Sequence, residues 1–163
     1  MSASDTERRR LAAIVVVDAV GYSRLMEVDE AGTLAALRAH RADAIDPVIA
    51  AWRGRIFKTA GDSVLAEFAS VVDAALCVIE MQRGLQERNA AAPPGRRMEF
   101  RVGLHLGDVV PEGDDVLGDG VNVAARLQAI APPGGVCLSD DAARHVRGRL
   151  GVELRRLGTR RLK

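Results

Sequence analysis

The chain predicts an α/β sandwich, and three observations carry that expectation. Residues 12–17 form an unbroken aliphatic run rich in β-branched side chains, which suits a central strand covered on both faces. Phe100, Val102, Leu104 and Leu106 fall at every second position, the pattern of a strand with one buried face. Between these runs Val72, Ala75, Leu76 and Ile79 recur at helical spacing.

Taken in order, residues 1–10 make a polar N-terminal tail, and the first strand over residues 12–17 stops at Asp18. Gly21 breaks the chain before a helical stretch over about residues 30–52, whose inner face carries Leu34, Leu37, Ile45, Val48, Ile49 and Trp52. Pro47 falls within that stretch, so a kink or two helices are expected. Residues 55–59 and 64–68 read as two short strands around Ala60-Gly61-Asp62-Ser63, a hairpin. A helix follows over residues 71–88, then an exposed loop marked by Pro93, Pro94 and Gly95, then a strand over residues 99–107. Residues 107–120 are rich in Gly and Asp and read as a turn with a short strand at Val109-Val110. A helix over about residues 121–130 ends before Pro132, Pro133, Gly134 and Gly135. Residues 136–139 make a strand, 140–149 a short helix and 151–157 a last strand.

A chain of 163 residues fits one domain, running from residue 11 to 163, and can bury a core without disulfides or a structural metal. Its 23 Lys plus Arg against 22 Asp plus Glu leave a net charge of +1, so it carries no general attraction for nucleic acid or a membrane surface. Three Phe, one Tyr and one Trp are too few for a base-stacking platform. Arg8, Arg9 and Arg10 precede an apolar stretch, but Asp18 interrupts it and no small-residue cleavage site follows, so a cytoplasmic protein with no membrane contact is expected. Cys77 and Cys137 match no metal spacing and read as buried, inert thiols in a reducing compartment.

The chemistry gathers at two aspartates. Asp18 ends the first strand and leads into Ala19-Val20-Gly21-Tyr22-Ser23, where successive backbone N–H groups can face an anion such as a phosphate. Asp62 sits at the hairpin tip. Each alone reads as a cap or a turn residue. A hairpin paired beside the first strand brings both carboxylates to one sheet edge, and two oxygen ligands with open positions suit Mg²⁺ or Mn²⁺ completed by substrate phosphates. A second constellation runs from Asp115 to Arg126, in which Asn122 and Arg126 stand four apart and share a helix face. An arginine there can neutralise charge that develops in phosphoryl transfer.

Val17-Asp18-Ala19-Val20-Gly21-Tyr22-Ser23, Phe57-Lys58-Thr59-Ala60-Gly61-Asp62 and the segment from Asp115 to Arg126 together resemble the catalytic domain of the class III nucleotidyl cyclases, most closely the soluble bacterial branch. The resemblance implies a ferredoxin-like βαββαβ core with helices packed on a mainly antiparallel sheet, and a head-to-tail homodimer with shared active sites. It implies cyclisation of a nucleoside triphosphate to the 3′,5′-cyclic monophosphate with release of pyrophosphate. Two Mg²⁺ or Mn²⁺ ions would be held at Asp18, Asp62 and Ala19, and the triphosphate by Ala19 to Ser23 and a basic residue near the end, matched by Lys163. Lys58 and Asp115 match the base-selecting pair: Lys58 can donate to adenine N1 and Asp115 accept from the 6-amino group, which makes ATP the expected substrate. Asn122 would orient the ribose and Arg126 bind charge forming on the transferred phosphorus, each site joining metal ligands of one subunit to Asn122 and Arg126 of the other. Neither His105 nor His145 lies in a matched motif, and His105 reads as structural. The resemblance also implies regulatory domains attached in a longer protein, and the family continues one or two strands beyond Lys163. A guanylate cyclase and an inactive regulatory module of the same fold stay open; Lys58 disfavours the first, and the retained Asp18, Asp62, Asn122 and Arg126 disfavour the second.

Overall fold

The computed structural model describes residues 9–158. Its centre is β1 (Arg10–Ala19), paired antiparallel on one side with β3 (Ser63–Phe68) and on the other with β4 (Phe100–Glu112). β2 (Arg55–Ala60) pairs β3 at one edge, so the first four strands lie in the order β2-β3-β1-β4, all antiparallel. That order, with helices crossing over between β1 and β2 and between β3 and β4, is the ferredoxin-like βαββαβ core expected. At 13 residues, β4 is long enough to serve two further strands. Its first half pairs in parallel with β6 (Val136–Leu138), and its end forms a hairpin with β5 (Asp115–Leu117).

Alternation along β1 puts apolar side chains on both faces, as the unbroken run requires. Ala13, Val15, Val17 and Ala19 join a large core with Phe68, Met81, Leu85, Phe100, Val102 and Leu104. Ala12, Ile14 and Val16 join a smaller core on the other face with Leu65, Val109, Val116 and Ala124. The large core lies beneath α2 (Glu30–His40), α3 (Asp46–Ala51), α4 (Val71–Ala91) and α6 (Asp140–Val146). α1 (Tyr22–Val28) leads into that layer, and α5 (Asp119–Ile130) covers the opposite face. Side-chain caps start three of these helices: Asp29 accepts from Gly32 N–H, Ser70 from Asp73 N–H and Ser139 from Ala142 N–H. α5 seats closely because Gly103 faces it; a Cβ there would stand 2.2 Å from the Ala124 carbonyl oxygen.

The stretch over residues 30–52 divides as Pro47 demands. α2 widens into a π-helical turn, Arg41–Ile45, before Pro47 opens α3. Three expectations are corrected. Arg10, assigned to the tail, is the first residue of β1, because β4 extends far enough to pair it with Val109. Residues 107–110 form the continuous middle of β4 rather than a turn, since the ladder to β1 supplies partners for Gly107 and Asp108. Residues 151–157 are not in a strand: among the described residues, the ladders of β4 are taken by β1, β5 and β6. Cys77 and Cys137 are both buried and form no disulfide with each other, and burial, with Glu80 nearby, pushes Cys77 up to about 12. No helix of the described residues is long and apolar enough to cross a membrane.

Candidate active site

The pairing of β1 with β3 carries the tip of the β2–β3 hairpin to the carboxyl end of β1. Gly61 and Asp62 form a two-residue turn, with Gly61 at φ 59° in the first central position, where a side chain would be strained. Asp62 Oδ2 accepts a hydrogen bond from the Ala19 N–H at 3.0 Å, which ties the hairpin tip to the residue after Asp18. Asp18 is driven up to about 7, first by burial and then by the Asp62 carboxylate beside it; Ser63 and the Ala19 backbone pull weakly the other way. Its Oδ1 is buried with no hydrogen-bond partner.

That orphaned oxygen tests the fit of a divalent cation. Two carboxylates crowded together, one with a buried oxygen that accepts no hydrogen bond, suit a hard cation. Among the described residues, no cluster of three or more His, Cys, Asp or Glu side chains is suited to a metal, so protein side chains at this edge offer two carboxylates. Ala19 can contribute only its carbonyl oxygen, its N–H being held by Asp62.

The loop after Asp18 offers fewer donors than its sequence suggests. Val20 N–H donates to the Glu99 carbonyl at 2.8 Å, so with Ala19 also committed the anion-facing amides narrow to residues 21–23. Gly21, at φ 64°, turns the chain into α1, and no side chain caps that helix.

Arg101 was missed in the sequence. It stands directly across from Asp18 in the β1–β4 register, and its Nε is buried without a partner. Among the described residues, the buried side-chain atoms lacking any hydrogen bond are these two, Asp18 Oδ1 and Arg101 Nε. The available signal was a cation set among the alternating apolar residues of β4, on the face that strand shares with Asp18.

Lys58 and Asp115, 57 positions apart, meet as an ion pair at 3.4 Å, both partly exposed. A β-bulge brings this about. Register shifts between Ile56 and Lys58, so Arg55 lies opposite Glu67 and Lys58 opposite Leu65. The extra residue, Phe57, puts Lys58 on the same face as Arg55 despite their odd separation. Asp115 opens β5 and accepts from Val116 N–H through its other oxygen at 2.7 Å.

Asn122 and Arg126 lie exposed on α5, whose inward residues are Gly120, Ala124 and Leu127. The structure thus assembles Asp18 with Asp62 and Lys58 with Asp115. Among the described residues, no hydrogen bond or ion pair of the Asn122 or Arg126 side chain links it to either pair. Tyr22 is half-buried against the large core and Ser23 is exposed. Lys163 lies outside the described residues. His105 is half-buried, its Nδ1 is 2.8 Å from Ser139 Oγ, and burial lowers its pKa, all consistent with a neutral structural imidazole.

The ferredoxin-like core, with Asp62 tied to the end of β1 and Lys58 paired with Asp115, belongs to a nucleotidyl cyclase catalytic domain, as the family comparison shows. Residues 5–163 match the family described as adenylate and guanylate cyclase catalytic domain, and the chain belongs to it. It is 46% identical over 151 residues to a Rhizobium meliloti protein named "Putative adenylate cyclase 3", covering 93% of this chain and 26% of that protein. It is 36% identical over 130 residues to an adenylate cyclase of Streptomyces coelicolor, covering 76% and 31% respectively. The chain therefore spans about a quarter to a third of these relatives' length. A crystal structure of an adenylate/guanylate cyclase/hydrolase from Silicibacter pomeroyi superposes with a TM-score of 0.90 at 42% identity, over 96% of this chain and 91% of that one.

Proposed function

We propose that this domain converts ATP to 3′,5′-cyclic AMP and pyrophosphate at two sites shared across a homodimer. The observation that supports this most is the facing pair of unpartnered buried atoms, a carboxylate oxygen on Asp18 and a guanidinium nitrogen on Arg101. Opposite charges on facing residues, each with one buried atom left without a hydrogen bond, suit a metal–triphosphate complex that supplies a cation to one and an anion to the other.

Asp18 and Asp62, with the Ala19 carbonyl, would hold two Mg²⁺ or Mn²⁺ ions. When bound, such ions acidify the ribose 3′-hydroxyl and neutralise the triphosphate. In the reaction the 3′-oxygen bonds to the α-phosphorus, the bond to the bridging oxygen breaks, and pyrophosphate leaves with that electron pair. Arg101 and the amides of residues 21–23 orient the phosphates. Asn122 and Arg126 come from the second subunit, Asn122 to the ribose and Arg126 to the charge growing at phosphorus. Their exposure on α5 supports that division. Lys58 donates to adenine N1 and Asp115 accepts from the 6-amino group, an arrangement that guanine reverses.

The test is product analysis after incubation with ATP or GTP and Mn²⁺ or Mg²⁺. Cyclic AMP from ATP alone is expected. Cyclic GMP would overturn the base reading, and no cyclic product from a folded dimer would overturn the assignment of catalysis to this chain. Lys58→Glu with Asp115→Gly should shift preference toward GTP.

A further inference from the structure

Glu67 is a buried carboxylate on β3, only 8% exposed, and it is held by two arginines. Arg10 Nη2 reaches its Oε2 at 2.6 Å; Arg55 gives its Oε1 two hydrogen bonds, from Nε at 3.0 Å and Nη2 at 2.8 Å. A desolvated carboxylate needs such partners, so the cluster has an obvious structural use. That use leaves one contact unexplained. Arg55 Nη1 crosses from β2 to the β4–β5 turn and donates to the Asp114 carbonyl at 2.8 Å.

The turn needs an anchor. β5 has three residues, and its ladder is three pairs with the end of β4. Among the described residues, the polar side-chain contacts between β2 and this hairpin are Arg55 to Asp114 and Lys58 to Asp115. Both lie at the surface, but the first comes from an arginine whose Nε and Nη2 are held by buried Glu67, while the second has no such brace. The Arg55 contact lies one residue from the Lys58 contact on the hairpin and, through the bulge, on the same face of β2.

We infer that Arg55, braced by Glu67, is a positioning residue that sets the distance between Lys58 and Asp115 and so the selection of the base. The inference rests on the base-reading role proposed above for Lys58 and Asp115. Lysine at position 55 separates positioning from folding: it keeps a cation for Glu67 but has no planar fork to span Glu67 and Asp114 together.

Turnover of ATP is compared with that of purine riboside triphosphate, which lacks the 6-amino group that Asp115 accepts from. Wild type should favour ATP about tenfold in kcat/KM, the scale of one specific hydrogen bond. Arg55→Lys should bring the ratio within about twofold and leave kcat for purine riboside triphosphate unchanged, with the assays run below the variant's own Tm. A general structural defect would lower both substrates together. Asp115→Ala is the control. If it abolishes the ratio and Arg55→Lys does not, the positioning inference is overturned while base reading stands. If Asp115→Ala itself keeps the ratio, the base reading fails and takes the inference with it. Amide hydrogen exchange supplies a readout that needs no turnover: in Arg55→Lys, exchange over residues 112–118 should quicken at least tenfold while that of β1 is unchanged. Unaltered exchange over residues 112–118 would also overturn the inference.

Discussion

Replacing Asp18 by Asn should stabilise this protein at pH 8 in the absence of divalent cations while abolishing its activity. Burial and Asp62 raise Asp18 from the ordinary 3.8 to about 7. A raised carboxylate pKa favours the neutral form in the folded state. Its stabilising contribution is fully present below the ordinary value and is lost as pH rises through 7. At pH 8 the wild-type chain therefore bears the whole cost of an ionised Asp18. A rise of about three units corresponds to a ceiling of ~4 kcal/mol. Asp18 is only half-buried, and solvent screening reduces that to about 1–2 kcal/mol. Asn matches the neutral acid in shape, and its amide can donate toward Asp62. In EDTA the variant should melt roughly 2–8 °C above wild type at pH 8, with the gap shrinking toward pH 4.5. Mn²⁺ should then raise the wild-type Tm and leave the variant's unchanged. Thermal melts across pH, with and without Mn²⁺, make the comparison. A variant less stable than wild type at pH 8, or a gap independent of pH, would refute the reasoning.

Asp62→Ala should abolish metal-dependent turnover and also strip the Ala19 N–H of its acceptor, lowering stability by about 1 kcal/mol in a denaturant titration. Arg126→Ala should lower kcat more than it raises KM, because its contact belongs to the transition state; steady-state kinetics with ATP will show whether kcat falls. Gly103→Ala would drive a methyl group into the Ala124 carbonyl and Gln128 N–H of α5, costing about 1–3 kcal/mol in thermal unfolding and moving Asn122 and Arg126 together. Specific activity should fall on serial dilution as subunits separate, whereas a flat profile to nanomolar concentration would contradict a dissociable dimer.

The legible parts of this fold are those whose partners leave a local mark. The aliphatic run of β1 signals burial on two faces, Gly61-Asp62 signals a hairpin, and Pro47 signals the break between α2 and α3. What the sequence hides is set by distant pairing. Gly107-Asp108 look like a turn until β1 offers them a ladder, and residues 151–157 look like a strand although they take no strand conformation. The site divides in the same way. Asp18 and Asp62 could be joined by reasoning because a hairpin beside the first strand brings them together. Lys58 and Asp115 were paired only by family resemblance, since neither period nor spacing announces a bulge at Phe57. Arg101 was visible as an odd charge, but that it faces Asp18 is a property of register alone.

The bulge on β2 also sets what kinds of sequence change this edge can absorb. In a regular strand, side chains three apart point to opposite faces. Here the supernumerary Phe57 converts the odd interval from Arg55 to Lys58 into an even one. Loss of Phe57 would leave Arg55, Ile56 and Lys58 opposite Glu67, Ala66 and Leu65 as a regular ladder, so parity survives a deletion, but one more residue than the bulge absorbs changes it. Lys58 would then point away from Asp115 while Arg55 kept its hold on Glu67 and Asp114. This edge can consequently shorten by one residue and keep Lys58 on its face, but it cannot lengthen on the same terms.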